Sequence, residues 1–283
     1  MRKKENELSF NYNPMQTDPA CRKGFCCTGV PSSVDLSRKK TASDWMSSYT
    51  EQLAQDLASA PPKRKGERTQ ARLELAAAEV LANVGFHAMR ISDITRAAGV
   101  SEGLFYSYFS DKLEISLAVL GGFLAALQEI GPTPDGQPHD PYAAIRHANL
   151  GWIRKVRANA GLLRCIFQLT DEQPEFASLV HATNRAWYQR VANSVVRNHP
   201  AGTADADAAL FAAYALGGMM DDLMRRLVIY PDESFVAFLD HAAPGSEALA
   251  DALAVIWLRV LYPGLAPPSK REPLAESLAA LGA

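Results

Sequence analysis

Between Ile91 and Lys112 the chain reads ISDITRAAGVSEGLFYSYFSDK, and the groups in it suited to chemistry are a serine hydroxyl, a phenol and an ammonium. The phenol of Tyr106 and the ammonium of Lys112 suit a polyanion, one as a neutral hydrogen-bond donor and the other as a charged one. Ser101 sits in Gly99-Val100-Ser101-Glu102-Gly103, which also fits the G-x-S-x-G pattern of a hydrolase nucleophile elbow. That elbow needs a strand before the serine and a helix after it. Ile94 to Ala98 has a helical pattern and lacks a β-branched run, so Ser101 is expected to cap a helix, its oxygen accepting from first-turn amides.

The elements that position these groups follow from spacing. Ile91, Ile94 and Ala98 give one helix an apolar face. Gly99 stands where that helix must stop, and glycine takes a left-handed conformation there at little cost. Phe105 and Phe109, four apart, face inward together. The opposite side carries Gly103 and Ser107, flanked by Leu104 and Tyr106. The stretch therefore predicts a helix-turn-helix with a small, polar outward face.

The segment ITRAAGVSEGLFYSYFSDK (Ile94 to Lys112) closely resembles the signature of TetR-type transcriptional regulators. The resemblance extends back through RTQARLELAAAEVLANVGF (Arg68 to Phe86) and weakly over the remaining helical chain. It implies that the helix from Ser101 to Phe109 enters the major groove. Tyr106 and Lys112 would hold phosphates, and Gly103, Leu104 and Ser107 would face base edges. Arg68, Arg90, Ser101 and Tyr108 complete the expected DNA-binding set. The chain departs from the usual pattern at Arg90, where a threonine commonly opens the first helix, and at Ser107, which replaces a larger residue.

Composition bounds the rest. The 283 residues carry a net charge of −2, so a nucleic-acid footprint must be local rather than a bulk field. The basic cluster Lys63, Arg64, Lys65, Arg68 and Arg72 after Pro61-Pro62 supplies such a footprint, a flexible arm that neutralises phosphates and releases counterions. With 48% apolar and 21% charged residues the composition is that of a soluble protein. No apolar run reaches spanning length, no secretion signal opens the chain, and the expectation is a cytoplasmic protein without membrane partners. Cys21, Cys26 and Cys27 lack paired zinc spacing and the six histidines are scattered, so neither a metal site nor a cofactor is expected.

The expected fold is all-α. Residues 1–62 read as a weakly ordered extension with a short helix from Asp44 to Ala58, and Met46 offers an alternative start. Residues 63–113 form the DNA-binding domain, its first helix running from Thr69 to Val84. Ser110 or Asp111 caps the connector, Asp111 with Glu114 making a capping-box pattern, and the helix continues to Leu127. Residues 114–265 form a larger helical domain, and 266–283 a tail with a weak helix from Leu274 to Leu281. The larger domain shows a loop from Gly131 to Pro141 and helices over Tyr142–Arg157 and Leu162–Leu169. A helix opened by Pro174, a break at Asn198–Gly202, and helices Thr203–Ile229 and Glu247–Leu261 follow.

No catalytic set emerges, and an enzyme is not expected. Asp221-Asp222 is no general acid/base couple, since neighbours on a helix point about 100° apart, and reads as surface solvation. The resemblance implies an apolar cavity in the larger domain for a small, mostly hydrophobic effector. Trp152, Phe167, Trp187 and Tyr214 are candidate walls, and His181 and Thr183 candidate polar contacts. It also implies a homodimer through the last two long helices, repressing transcription from a palindromic double-stranded DNA operator. Two rivals remain open: a helical partner-binding protein that has lost DNA binding, and an enzyme using the Gly99-Ser101-Gly103 stretch.

Overall fold

A computed structural model describes residues 47–129, 140–199 and 204–281, and every regular element among them is helical. The cysteine cluster at the N-terminus, the Gly131 loop and most of the Asn198–Gly202 break lie outside the described residues.

The first helix, α1 (Tyr49–Ser59), has a complete capping box: the Ser48 hydroxyl accepts from the Glu51 amide, and the Glu51 carboxylate accepts from the Ser48 amide. Its Tyr49 ring lies 5.4 Å from Phe123. α2 (Lys65–Ala88) begins four residues before the expected Thr69. Gly85, at φ 78°, breaks its regular run where the sequence places the stop. Leu73, Ala76, Ala77, Ala78 and Leu81 are buried along its inner stripe.

α3 (Ile91–Ala98) ends on Gly99, whose φ of 64° is left-handed. The Gly99 and Val100 amides then donate to the Arg96 and Thr95 carbonyls at 3.2 and 3.0 Å, as a glycine-terminated helix requires. α4 is the first correction. Its α-helical turn covers only Glu102–Phe105, not Ser101 to Phe109. Beyond it the Ser107 and Tyr108 amides bond three residues back, at 3.1 and 2.9 Å. The Phe109 amide returns to a bond four residues back, to Phe105 at 3.0 Å, and its ring is buried 5.8 Å from that of Phe105. The connector α5 (Lys112–Leu127) is capped by Asp111, which accepts from the Glu114 amide at 2.8 Å; Glu114 reaches back to Ser110 rather than to Asp111.

The larger domain contains α6 (Pro141–Ala158), α7 (Ala160–Glu172), α8 (Pro174–Asn198) and α9 (Ala206–Met224). α9 does not stay regular to Ile229: a single π turn covers Arg225–Ile229. α10 (Glu233–Ala242) was not foreseen, because ten residues between Pro231 and Pro244 bury only Leu239 and give too faint a stripe. α11 (Gly245–Leu261) is buried along nearly its whole length between α6 and α12 (Pro273–Ala280). The C-terminal segment is therefore packed, with Ala275 fully buried and the Arg259 guanidinium donating to the Ala279 carbonyl.

One buried charge ties these elements together. Asp251 on α11 accepts from Arg146, from the Tyr142 hydroxyl at 3.3 Å and from the Glu272 amide at 3.3 Å. Glu247, one turn earlier, takes Arg146 and Arg154 at 2.7 and 2.5 Å. A carboxylate this buried is tolerated only with its lone pairs occupied.

Candidate nucleic-acid interface and effector cavity

The outward face of α4 presents what the sequence places there. Ser101, Gly103, Leu104, Tyr106 and Ser107 are exposed, Tyr106 by 56% and Leu104 by 38%. The Ser101 oxygen accepts from the Leu104 amide at 3.2 Å, so its lone pair serves a cap. With α3 rather than a strand ahead of it, the geometry of a nucleophile elbow is absent and that reading is corrected. Tyr108 is half-buried, its hydroxyl close to Gly66. Arg90 is exposed, and its amide donates to the Asp93 carboxylate at 3.2 Å, so the α3 cap is half made without a threonine.

The cations divide into two groups. Lys112 donates to the carbonyls of Phe86, His87 and Met89 at 3.1, 3.4 and 3.3 Å and lies 4.7 Å from the Phe86 ring centroid. Phe86 and His87 lie in the last turn of α2 and Met89 is its cap, where carbonyls have no helical partner, and the ammonium gathers them. Arg72 donates to the Ala98 carbonyl at the end of α3, and Arg68 to the Pro62 and Lys63 carbonyls at 3.1 and 2.9 Å. These three brace the domain. Lys63, Arg64 and Lys65 remain exposed, Arg64 only loosely paired with Glu67 at 3.8 Å.

In the larger domain two adjoining cavities share Phe167 and Arg225. The outer one, about 230 Å³, is lined by Phe167, Gln168, Thr170, Asp171, Arg225 and Tyr230. The inner one, about 20 Å³, is bounded by Trp152, Val156, Leu163, Phe167, Asp221 and Met224, with Arg225 and Ile229. Of the expected wall residues the structure brings Trp152 and Phe167 together here and leaves the others elsewhere. Trp187 packs edge-on to Trp257 at 6.1 Å. Tyr214, on an exposed face of α9, lies with its ring centroid 4.4 Å from that of Tyr188, tilted by 45°. His181 is exposed, and the Thr183 hydroxyl donates to the Leu179 carbonyl at 2.8 Å within its own helix. None of these four lines either cavity, an outcome of helix packing that a one-dimensional pattern does not show.

Asp221 is the second correction. Asp222 does lie at the surface, paired with Arg225 and Arg226 at 2.6 and 2.7 Å. Asp221 instead lines the inner cavity, and burial pushes its carboxyl up to about 6. The Tyr188 phenol is pushed up to about 12, first by burial and then by this carboxylate. A signal was present: Gly217, Asp221 and Met224 share one inner stripe of α9 at spacings of four and three.

Asp221 also fixes a pH dependence. Its folded value of about 6 lies above its ordinary 3.8, so the folded state binds this proton more tightly than the unfolded one. The group's penalty is absent below about pH 4 and grows to full size as pH rises through 6, on the order of 2–3 kcal/mol. Asp221→Asn is expected to raise the thermal midpoint at pH 7.5 and leave it nearly unchanged at pH 4, as differential scanning fluorimetry at the two values would read.

α7 joins the cavity to the DNA-binding domain. Leu163, Phe167, Thr170 and Asp171 face the cavities. On the side toward α2, a methyl built on Gly161 would fall inside the Ala82 carbonyl. The Cys165 thiol approaches the Leu81 carbonyl at 3.6 Å, and Glu172 pairs with His87 at 3.0 Å. Lys155 on α6 adds a second link, donating to the Ala126 and Leu127 carbonyls at the end of α5.

Comparison with known proteins agrees with this architecture. Residues 75–119 match the family model of the bacterial regulatory proteins of the tetR family. The chain is 22% identical over 201 residues to the HTH-type transcriptional regulator EthR of Mycolicibacterium smegmatis, covering 70% of this chain and 88% of that protein. It is 42% identical over 62 residues to the HTH-type transcriptional activator FasR of the same organism, which spans 20% of this chain and 28% of FasR. The fatty acid degradation regulator FadR from Bacillus halodurans shares the fold, with a TM-score of 0.51 at 17% identity over 72% of this chain and 98% of that one. Residues 75–119 therefore carry a helix-turn-helix domain similar to that of the tetR family of bacterial regulatory proteins, and the helical architecture around it is shared with FadR.

Proposed function

We propose that this regulator is a repressor that binds a palindromic operator as a homodimer and is released when a small, mostly apolar molecule enters the cavity beside α7. The observation that carries the reading is α7 itself, which bounds the cavity with one face and packs on α2 with the other. A ligand that displaces α7 or α6 must move α2 or α5, and with them the outward face of α4. A useful switch needs roughly 1–3 kcal/mol of such coupling, and operator binding must weaken the ligand by the same factor.

Dimerisation is supported by α9, where Phe211 is 76% exposed and Tyr214, Ala215 and Gly218 continue the same open face. An apolar stripe of this kind suits a two-fold contact. α11 can add little, because α6 and α12 already cover it. Two α4 helices would then address successive major grooves about 34 Å apart.

A gel shift against DNA upstream of the protein's own gene tests the reading, and its salt dependence tests the contacts. Lys63→Ala with Lys65→Ala should lower the slope of log affinity against log salt by nearly 2, about 0.9 for each phosphate charge lost. Tyr106→Phe should weaken binding to all sequences alike, by about tenfold, and leave the slope unchanged because the phenol is neutral. A wild-type protein that fails to shift this DNA while remaining dimeric would favour a partner-binding helical protein instead.

A further inference from the structure

The basic stretch after Pro61-Pro62 is not the flexible arm that its composition suggests. It is the tip of a helical hairpin, held from both sides. On one side α1 packs along α2. The Tyr49 amide donates to the Asn159 side-chain oxygen at 2.8 Å, and the Tyr49 ring lies 5.4 Å from Phe123 of α5. Asn159 is buried and donates to the Lys155 carbonyl at 2.9 Å. It stands two residues before Gly161, the position that meets Ala82 toward the far end of α2. The start of α1 is therefore fixed away from Lys65, and the chain runs back along α2 to reach the tip. On the other side Arg68 donates to the Pro62 and Lys63 carbonyls at 3.1 and 2.9 Å, which folds the tip onto the first turn of α2. Two prolines stiffen the backbone between the two holds.

Charge and position point to the partner of this tip. Lys63, Arg64 and Lys65 are exposed, the Arg64 side chain by 86%. Glu67 comes no closer to Arg64 than 3.8 Å, and neither lysine has an ion pair among the described residues. The tip also opens beside the reading segment. A methyl built on Gly66 would stand 3.6 Å from the Tyr108 hydroxyl, two residues beyond Tyr106. Three cations are thus held next to the exposed face of α4, and a helix lying in a major groove has a phosphate backbone on either side. We infer that the α1–α2 tip is a second, preorganised DNA contact, seating Lys63, Arg64 and Lys65 on phosphates that flank the bases faced by α4, with α1 as its brace. The inference rests on the DNA-binding reading above and adds how the basic stretch is presented. α1 itself touches no DNA. A loose arm must be ordered as it binds, which lowers affinity, whereas a fixed tip keeps the full gain from released counterions. Charge and order leave separate marks: charge sets the slope of log affinity against log salt, and order shifts affinity alike at every salt.

The full chain, titrated against labelled DNA from upstream of its own gene between about 50 and 200 mM salt, reads both. Pro61→Gly together with Pro62→Gly keeps every charge and should weaken binding by about three- to tenfold at each salt, with the slope unchanged. Arg64→Gln should lower the slope by about 0.9 and leave the thermal midpoint in place. Tyr49→Ala, which frees the start of α1, should behave as the glycine pair does. Because Tyr49 also packs on Phe123, the glycine pair is the deciding variant, and thermal unfolding is run beside all three. Wild-type affinity in the glycine pair overturns the fixed tip, and an unchanged slope in Arg64→Gln overturns its phosphate contact. Wild-type affinity in Tyr49→Ala overturns α1 as the brace. A wild-type chain that binds no DNA removes this inference and the operator reading together. A wild-type chain that binds, with the glycine pair and Arg64→Gln its equals, removes the tip alone.

Discussion

Replacing Phe105 by alanine should abolish operator binding by unfolding the domain that presents α4. Phe105 is fully buried, its ring 5.8 Å from Phe109 and edge-on to Tyr106 at 5.5 Å. Removing a buried phenylalanine costs about 3–5 kcal/mol, because the cavity left behind closes only in part. A three-helix unit has little margin to absorb that loss. The control is the adjacent residue. Leu104 is 38% exposed on the outward face, so Leu104→Ala should keep the thermal midpoint within a few degrees while changing which sequences are preferred. Fluorescence anisotropy with a labelled operator, run beside thermal unfolding, distinguishes the two. Equal stability of the two variants would show that α4 is not held by its inward ring.

Gly161→Val is expected to separate the two halves of the switch. The glycine opens α7 where that helix meets α2, and any β-carbon there would overlap the Ala82 backbone carbonyl. Both partners are backbone, so no rotamer change relieves the clash and α7 must lift away from α2. Overpacking of this kind costs about 1–3 kcal/mol or somewhat more. For a chain of this size each 1 kcal/mol lowers the thermal midpoint by roughly 2–4 °C. The larger effect is functional: a ligand bound at Phe167 would no longer shift operator affinity, because the surface that transmits its push is gone. Gly151 on α6 is the control, since a methyl there meets nothing. Gly151→Ala should leave coupling intact and stabilise by about 0.5–1 kcal/mol. Coupling retained in Gly161→Val would move the transmission route to Lys155 and the end of α5.

The parts of the fold that were legible share a physical basis. Gly99 announces the turn because only a residue without a β-carbon takes its left-handed φ of 64° at no cost. The Phe105–Phe109 spacing announces which face of the short helix turns inward. α12 was legible at nearly its observed bounds, though not its packing against α11. α10 escaped notice because it buries almost nothing, and periodicity is a record of burial. The recognition segment kept its inward and outward faces but not its length: the Phe109 amide still bonds four residues back to Phe105, which holds the two rings on one side, while the Ser107 and Tyr108 amides bond three back and end the α-helical pattern.

The amino-acid order by itself determined the helix-turn-helix, its caps, the exposed Ser101–Ser107 face and the all-helical class, because each depends on residues fewer than about ten positions apart. The tertiary structure decided what those residues then touch. It drew Lys112, Arg72 and Arg68 onto backbone carbonyls, the first two 23 to 26 positions away, leaving Lys63, Arg64 and Lys65 as the open cations. It turned Asp221 inward while its neighbour Asp222 stayed in water, and it gathered Trp152 and Phe167 but not Trp187 or Tyr214 around one cavity. The reason is common to all of these: a local pattern reports which side of a helix is dry, but only the packing of helices distant in sequence sets which groups meet there and which are left without a partner.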